Sequence, residues 1–214
     1  MKVKQELEAK AAAALQGLGY SRLRGLIFLA PWSSKVVSHL VYMEWLNKYG
    51  ERISVRIGVR HSDAEAFAVK IIRDYGHFAS RMHIKDDLSH SFVNFSLGRL
   101  CSWPYIWSLD PAEVGIDACV KEISDCLEGK LSPLVEWIRC DSSMYDFLTR
   151  AQPMIMQPPN GAARAAEVIF IGKRLNYRQD RVFSDIARFS ECIPSQIDKN
   201  MLVEDYLISV WARA

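Results

Sequence analysis

Between residues 52 and 60 the chain alternates without a break. Ile53, Val55, Ile57 and Val59 occupy one parity, and Arg52, Ser54, Arg56, Gly58 and Arg60 the other. Period two is the signature of a half-buried strand, so the aliphatics face a core and three arginines face the opposite way. An antiparallel strand with one wet face follows from this pattern. Similar stretches predict strands at Arg22–Ala30, Val36–Leu46, Ser80–Lys85 and Phe92–Leu100. Between the first two, Pro31-Trp32-Ser33-Ser34 reads as a turn.

Helical spacing takes over elsewhere. Val3–Leu18 is rich in Ala, Leu, Lys and Glu and ends at Gly17 and Gly19. Ser62 and Glu65 form an S-x-x-E capping box ahead of the stripe Phe67, Ile71 and Tyr75, which predicts a helix over about Asp63–Tyr75. Asp110-Pro111-Ala112-Glu113 starts another helix, which runs to about Leu127, with Gly129 as its breaker. Ser132-Pro133 opens a helix through Ile138, and a short one covers Ser142–Arg150. Three more helices are expected at Ala162–Leu175, Gln179–Ser190 and Gln196–Ala212. Strands therefore dominate the first half and helices the second. The expected class is α+β: an antiparallel sheet of about five strands in the N-terminal half, packed by helices, with a helical C-terminal region.

Pro153, Pro158 and Pro159 forbid a helix across residues 152–161. That segment reads as a linker between an α+β domain, 1–151, and a helical extension, 162–214, packed on the first part. With 214 residues, half of them hydrophobic and 24% charged, the chain can build a core without metal or cross-link. No apolar run approaches the roughly 18 residues of a membrane span. The charged, alanine-rich N-terminus lacks the apolar stretch of a signal peptide. Five cysteines, an odd number with no CxxC pair, read as reduced and mostly buried thiols of a cytoplasmic protein. Cys119 and Cys126, seven apart, share one helical face and both point inward.

Few residues carry a recognisable chemical pattern. The five histidines, His39, His61, His77, His83 and His90, show no metal-binding spacing. No nucleophile elbow and no phosphate-binding loop occurs, and Gly172-Lys173-Arg174 matches only the end of one. No cofactor, metal or catalytic residue is assigned. The remaining features are surfaces. If the strands at 52–60 and 80–85 neighbour each other, Arg52, Arg56, Arg60, Arg81, His83 and Lys85 form a cationic sheet face. Arginine forks suit carboxylates and phosphates. Such a face could equally be a solvated one. Trp103, Tyr105 and Trp107 either pack under the helices or form an aromatic rim beside that face.

The run LQGLGYSRLRGLIFLAP, a long aromatic strand and then RISVRIGVR resembles a bacterial group of domains of unknown function. Its members have a helix, a β-meander and covering helices, and some lie beside toxin genes as immunity proteins. The resemblance spans about residues 1–150 and brings no catalytic residue with it. The absence of a catalytic motif together with the one-sided arginine strands points to a non-enzymatic module that occludes an acidic protein partner with the basic face or with the rim of Trp103 and Trp107, and the resemblance makes a toxin-neutralising, immunity-type role its concrete form. The alternative is an enzyme or binder acting on a phosphate-bearing ligand such as a nucleotide, with His83 or His61 as acid–base group. Nucleic acid ranks below both, because a net charge of +2 is small for that role. Leu207, Val210 and Trp211 near the end imply docking on the body or on a second copy.

Overall fold

The computed structural model describes residues 2–46, 52–74, 93–98, 114–150, 161–189, 196–198 and 201–214. Helix α1 (Lys2–Gly17) precedes a five-stranded antiparallel sheet in the order β1-β2-β3-β4-β5. Its strands are β1 (Ser21–Arg24), β2 (Ile27–Leu29), β3 (Val37–Leu46), β4 (Arg52–His61) and β5 (Val93–Ser96). Helix α2 (Ser62–Asp74) lies between the last two. Then come α3 (Ile116–Cys126), a π-helical turn (Leu127–Leu131), α4 (Ser132–Val135), α5 (Asp141–Thr149), α6 (Gly161–Arg174) and α7 (Gln179–Ala187). A two-stranded ribbon, β6 (Gln196–Asp198) with β7 (Met201–Leu202), leads into the closing helix α8 (Val203–Arg213).

The mixed α+β class and the antiparallel N-terminal sheet agree with the sequence reading, but the strands do not match one for one. The expected first strand is a hairpin. Gly25 takes φ +48° and Arg24 pairs with Ile27, so the chain reverses over two residues. Glycine adopts that left-handed backbone without a Cβ clash. The expected strand 80–85 lies outside the described residues. Gly129 does not break its helix. It rides in the π-helical turn, where the ladder widens by one residue and continues into α4. The expected last helix begins seven residues late, because Gln196–Asp198 pairs with Met201–Leu202 as a ribbon.

Helix α2 starts as expected but is capped differently. Its third backbone N–H, at Ala64, donates to His61 Nδ1 at 3.2 Å, and Glu65 turns away to hold Arg60. The first N–H groups of a helix lack intrahelical acceptors, and a side chain can supply one. Here the imidazole replaces the capping box.

One hydrophobic core runs from Leu7 to Val210. The aliphatic side of β4 is sealed, with Ile53, Val55, Ile57 and Val59 at most 1% exposed. Helix α6 is the centre of the helical layer. Eleven of its 14 residues are buried, including Ala162, Ala163, Ala165 and Ala166. Small side chains let α2, α5 and α8 approach it closely, and a helix apolar nearly all round is an interior one. The described residues of α6, α7 and α8 thus share a core with the N-terminal part. Tyr206 of α8 donates to the Ala162 carbonyl at 2.9 Å, and Trp211 meets Phe183 edge-on at 6.0 Å. The closing helix docks on the body of the chain itself.

Candidate functional site

The arginine side of β4 is not an open face. Leu40 and Tyr42 of β3 project to that side, opposite Gly58 and Arg56, and each is only 1% exposed. Arg56 stacks over Tyr42 at 6.0 Å and pairs with Glu44 at 3.6 Å. Arg60 Nε donates to Glu65 Oε2 at 2.6 Å. Arg52 is half-buried and also engaged. The cross-strand register sets Glu44 diagonally to Arg56, an arrangement favourable for opposite charges. Of the arginines expected on this face, Arg56 and Arg60 have carboxylate partners within the chain, Arg60 closely and Arg56 more loosely, with its side chain still 41% exposed. Arg81, His83, Lys85, Trp103 and Trp107 lie outside the described residues.

His61 does not fit an acid–base role. It is 1% exposed, Nδ1 accepts from the Ala64 N–H, and Nε2 donates to Asp141 Oδ1 at 2.8 Å. Both ring nitrogens are therefore occupied. Asp141 Oδ2 receives Arg174 at 3.1 Å, and Arg174 also reaches Asp63 at 2.6 Å. This chain of charges ties the starts of α2 and α5 to the end of α6. Among the described residues no three His, Cys, Asp or Glu side chains gather to hold a metal ion. No helix there is long and apolar enough to cross a membrane.

The described residues do form a polar cleft of about 450 Å³ between α5 and α7. Tyr145, Asp146, Thr149 and Arg150 line one wall, and Arg181, Ser184, Asp185 and Arg188 the other. Both walls follow from amphipathic helices. Val182 and Ile186 turn inward from α7, and Met144, Phe147 and Leu148 from α5, leaving the polar residues to face each other. Asp185 is held beneath the surface: its Oδ2 accepts from the Tyr145 hydroxyl at 2.8 Å and its Oδ1 meets Arg188 at 3.3 Å. Burial, reinforced by Asp185, holds the Tyr145 phenol well above its usual range, so it stays a donor at neutral pH.

The cationic wall is less committed. Arg181 lies 3.6 Å over the Tyr177 ring and makes no ion pair among the described residues. Arg150, 65% exposed, reaches Asp146 only at 3.8 Å and lies 5.1 Å over Trp137. Trp137 and the neighbouring Leu134 are 38% and 40% exposed. The cleft therefore continues into an apolar shelf through one shared arginine.

Two buried residues hold this arrangement. Arg164, 2% exposed, donates to the carbonyls of Leu148 at 2.6 Å and Arg150 at 3.1 Å, and stacks 3.9 Å from Phe189. It satisfies acceptors that the end of α5 leaves open. Gly172 lets α6 pass close to both walls: a Cβ there would lie 2.7 Å from Val182 Cγ2 and 3.1 Å from Tyr145 Cε2.

None of the cleft residues was singled out from sequence. The available signal was spacing, since Arg181, Ser184, Asp185 and Arg188 fall at helical intervals on one face of α7. The reduced-thiol expectation also needs correction. Cys119 and Cys126 are both buried as expected, but Cys126 is disulfide-bonded, whereas Cys119 and Cys140 are free. Pairing depends on Cα separation in space, which the cysteine spacing did not reveal. No family model, curated protein or solved structure matches this chain.

Proposed function

We propose that this chain is a non-enzymatic binding module that receives an acidic segment of a protein partner in the α5–α7 cleft, with Trp137 and Leu134 as the adjoining apolar anchors. One observation carries the reading: three arginines line the cleft against two aspartates, and Asp185 is already bonded on both oxygens. The surplus is cationic, and it adjoins an exposed tryptophan. Arginine and tryptophan are the residue types that dominate binding energy at protein interfaces, and complementary charge sets specificity and approach rate. Occlusion of a partner in the manner of an immunity protein, which the sequence resemblance implies, is the concrete form of this proposal. The binding residues move from the sheet face to Arg150, Arg181, Arg188 and Trp137.

The test is titration of a fluorescent glutamate-rich peptide containing one aromatic residue, with a lysine-rich peptide as control. Arg181→Glu weakens the acidic peptide at least tenfold, about 1.4 kcal/mol, and added salt weakens wild-type binding. Equal binding of both peptides, or an unchanged affinity in Arg181→Glu, rejects the cleft assignment.

The second reading, a phosphate-bearing ligand, draws on cleft size, since small-ligand sites commonly span about 300–1,000 Å³. Arginine forks beside the Thr149 and Ser184 hydroxyls would suit phosphate oxygens. A rise in Tm with nucleotides, lost in Arg181→Glu, would favour it over the peptide.

A further inference from the structure

The Trp32 indole packs against the rings of Tyr20 and His39, and each of the three side chains carries a buried polar atom. Tyr20 is 3% exposed and His39 2%. Trp32 contacts both rings edge-on, at 5.5 Å and 6.2 Å between centroids. The Tyr20 hydroxyl, Trp32 Nε1 and His39 Nδ1 have no hydrogen-bond partner among the described residues. They do not bond to one another either.

The backbone holds this trio together. Gly19 takes φ +83°, a left-handed backbone that favours glycine, and lies at ordinary van der Waals distance from the Pro31 ring. This sets Tyr20 against the turn bearing Trp32. His39 is fixed by its Nε2, which meets the Ile138 carbonyl at 2.7 Å. A carbonyl only accepts, so Nε2 carries the proton and Nδ1 presents a lone pair. Burial lowers the imidazole to about 4, in keeping with a neutral ring. The trio therefore offers a fixed donor at Trp32, a fixed acceptor at His39 and a hydroxyl that can serve as either.

We propose that Tyr20, Trp32 and His39 form an internal hydration site, in which one bound water accepts from the Trp32 N–H and donates to His39 Nδ1 while the Tyr20 hydroxyl supplies its third bond. Water has both functions in one small molecule, which an anion or a cation lacks. Leaving three polar groups of this kind unsatisfied is costly, and buried polar groups in native proteins are nearly always bonded. Globular proteins hold about one buried water per 27 residues, each making about three hydrogen bonds. The site also has a structural consequence. His39 and Ser34, whose Oγ donates to the Arg139 carbonyl at 2.6 Å, together pin residues 138–139 just after Trp137.

The test combines one substitution with one direct observation. Tyr20→Phe removes only the hydroxyl. A water held by three partners loses one, and Tm falls by about 2–4 °C. A hydroxyl buried without a partner gives the opposite result, and an unchanged or raised Tm overturns the proposal. A crystal structure of the full chain, at a resolution that shows ordered solvent, is expected to place a water within hydrogen-bond distance of at least two of the three atoms, Tyr20 included. Direct bonds among the three side chains, or a dry cluster, overturn it.

Discussion

Cys140 and Cys119 show how far one side-chain type diverges with its surroundings. Cys140 is exposed at the start of α5, where hydrogen bonds from Ser142 and then Ser143 draw its thiol down to about 7. Cys119 is buried in α3, and loss of solvent pushes it up to about 11. The thiolate is the reactive form. Iodoacetamide labelling of the native chain, followed by peptide mass analysis, is expected to modify Cys140 with a half-maximal rate near pH 7 and to leave Cys119 untouched. Glu167 is the more unusual residue. It is 1% exposed, and both carboxylate oxygens lack hydrogen-bond partners among the described residues. Burial first, and Glu65 second, raise its pKa well above the usual carboxyl range, against the opposing pull of Arg60 and Arg164. A group whose folded-state pKa is raised contributes stability that is complete below its unfolded value, about 4.3, and is lost as pH rises through the folded value. The urea midpoint of wild type relative to Glu167→Gln is therefore expected to fall as pH rises above about 4.3, a difference that cancels the opposite contribution of His39 common to both.

At the scale of elements, the close approach of α6 to its neighbours is the controlling feature. Gly172→Ala places a methyl against Val182 and Tyr145, neither of which can swing aside from a packed position. The expected cost is about 1–3 kcal/mol in chemical denaturation, the usual range for overpacking. The same variant shifts both walls of the cleft, so its acidic-peptide affinity falls with its stability. The turn after α6 is already well formed. Asn176 has φ +56°, Tyr177 N–H bonds to the Gly172 carbonyl and Asn176 N–H to that of Lys173. This pattern closes the open carbonyls at a helix end with one left-handed residue, a role asparagine tolerates. The angle between α6 and α7, and with it the width of the cleft, is set there.

For the whole molecule, the question is whether residues 162–214 are a separate unit. The continuous core argues that they are not, because α6 lies between α2 and α5 and contributes buried side chains to both. Tryptophan fluorescence and far-ultraviolet circular dichroism are therefore expected to report a single, coincident unfolding transition. Two separated transitions would mean that the extension folds by itself. Deleting residues 203–214 removes the buried Tyr206, Leu207 and Val210 and is expected to abolish the cooperative transition.

The strand at 52–60, the start of α2 and the apolar run of α6 were legible in the sequence, because each depends on neighbours within one or two turns of chain. The hairpin at Gly25 was missed because the apolar pattern runs straight through it, and only the left-handed backbone reveals the reversal. The sequence by itself determined which side of β4 meets the core, since alternation follows from strand geometry alone. Whether its arginines meet solvent was decided by tertiary structure: strand register brings Glu44 to Arg56, and the turn into α2 brings Glu65 to Arg60. The cleft arose in the same way, from two helices separated by 29 residues of chain between Thr149 and Gln179. Periodicity is a local property, whereas charge matching and concavity depend on segments that only folding brings together.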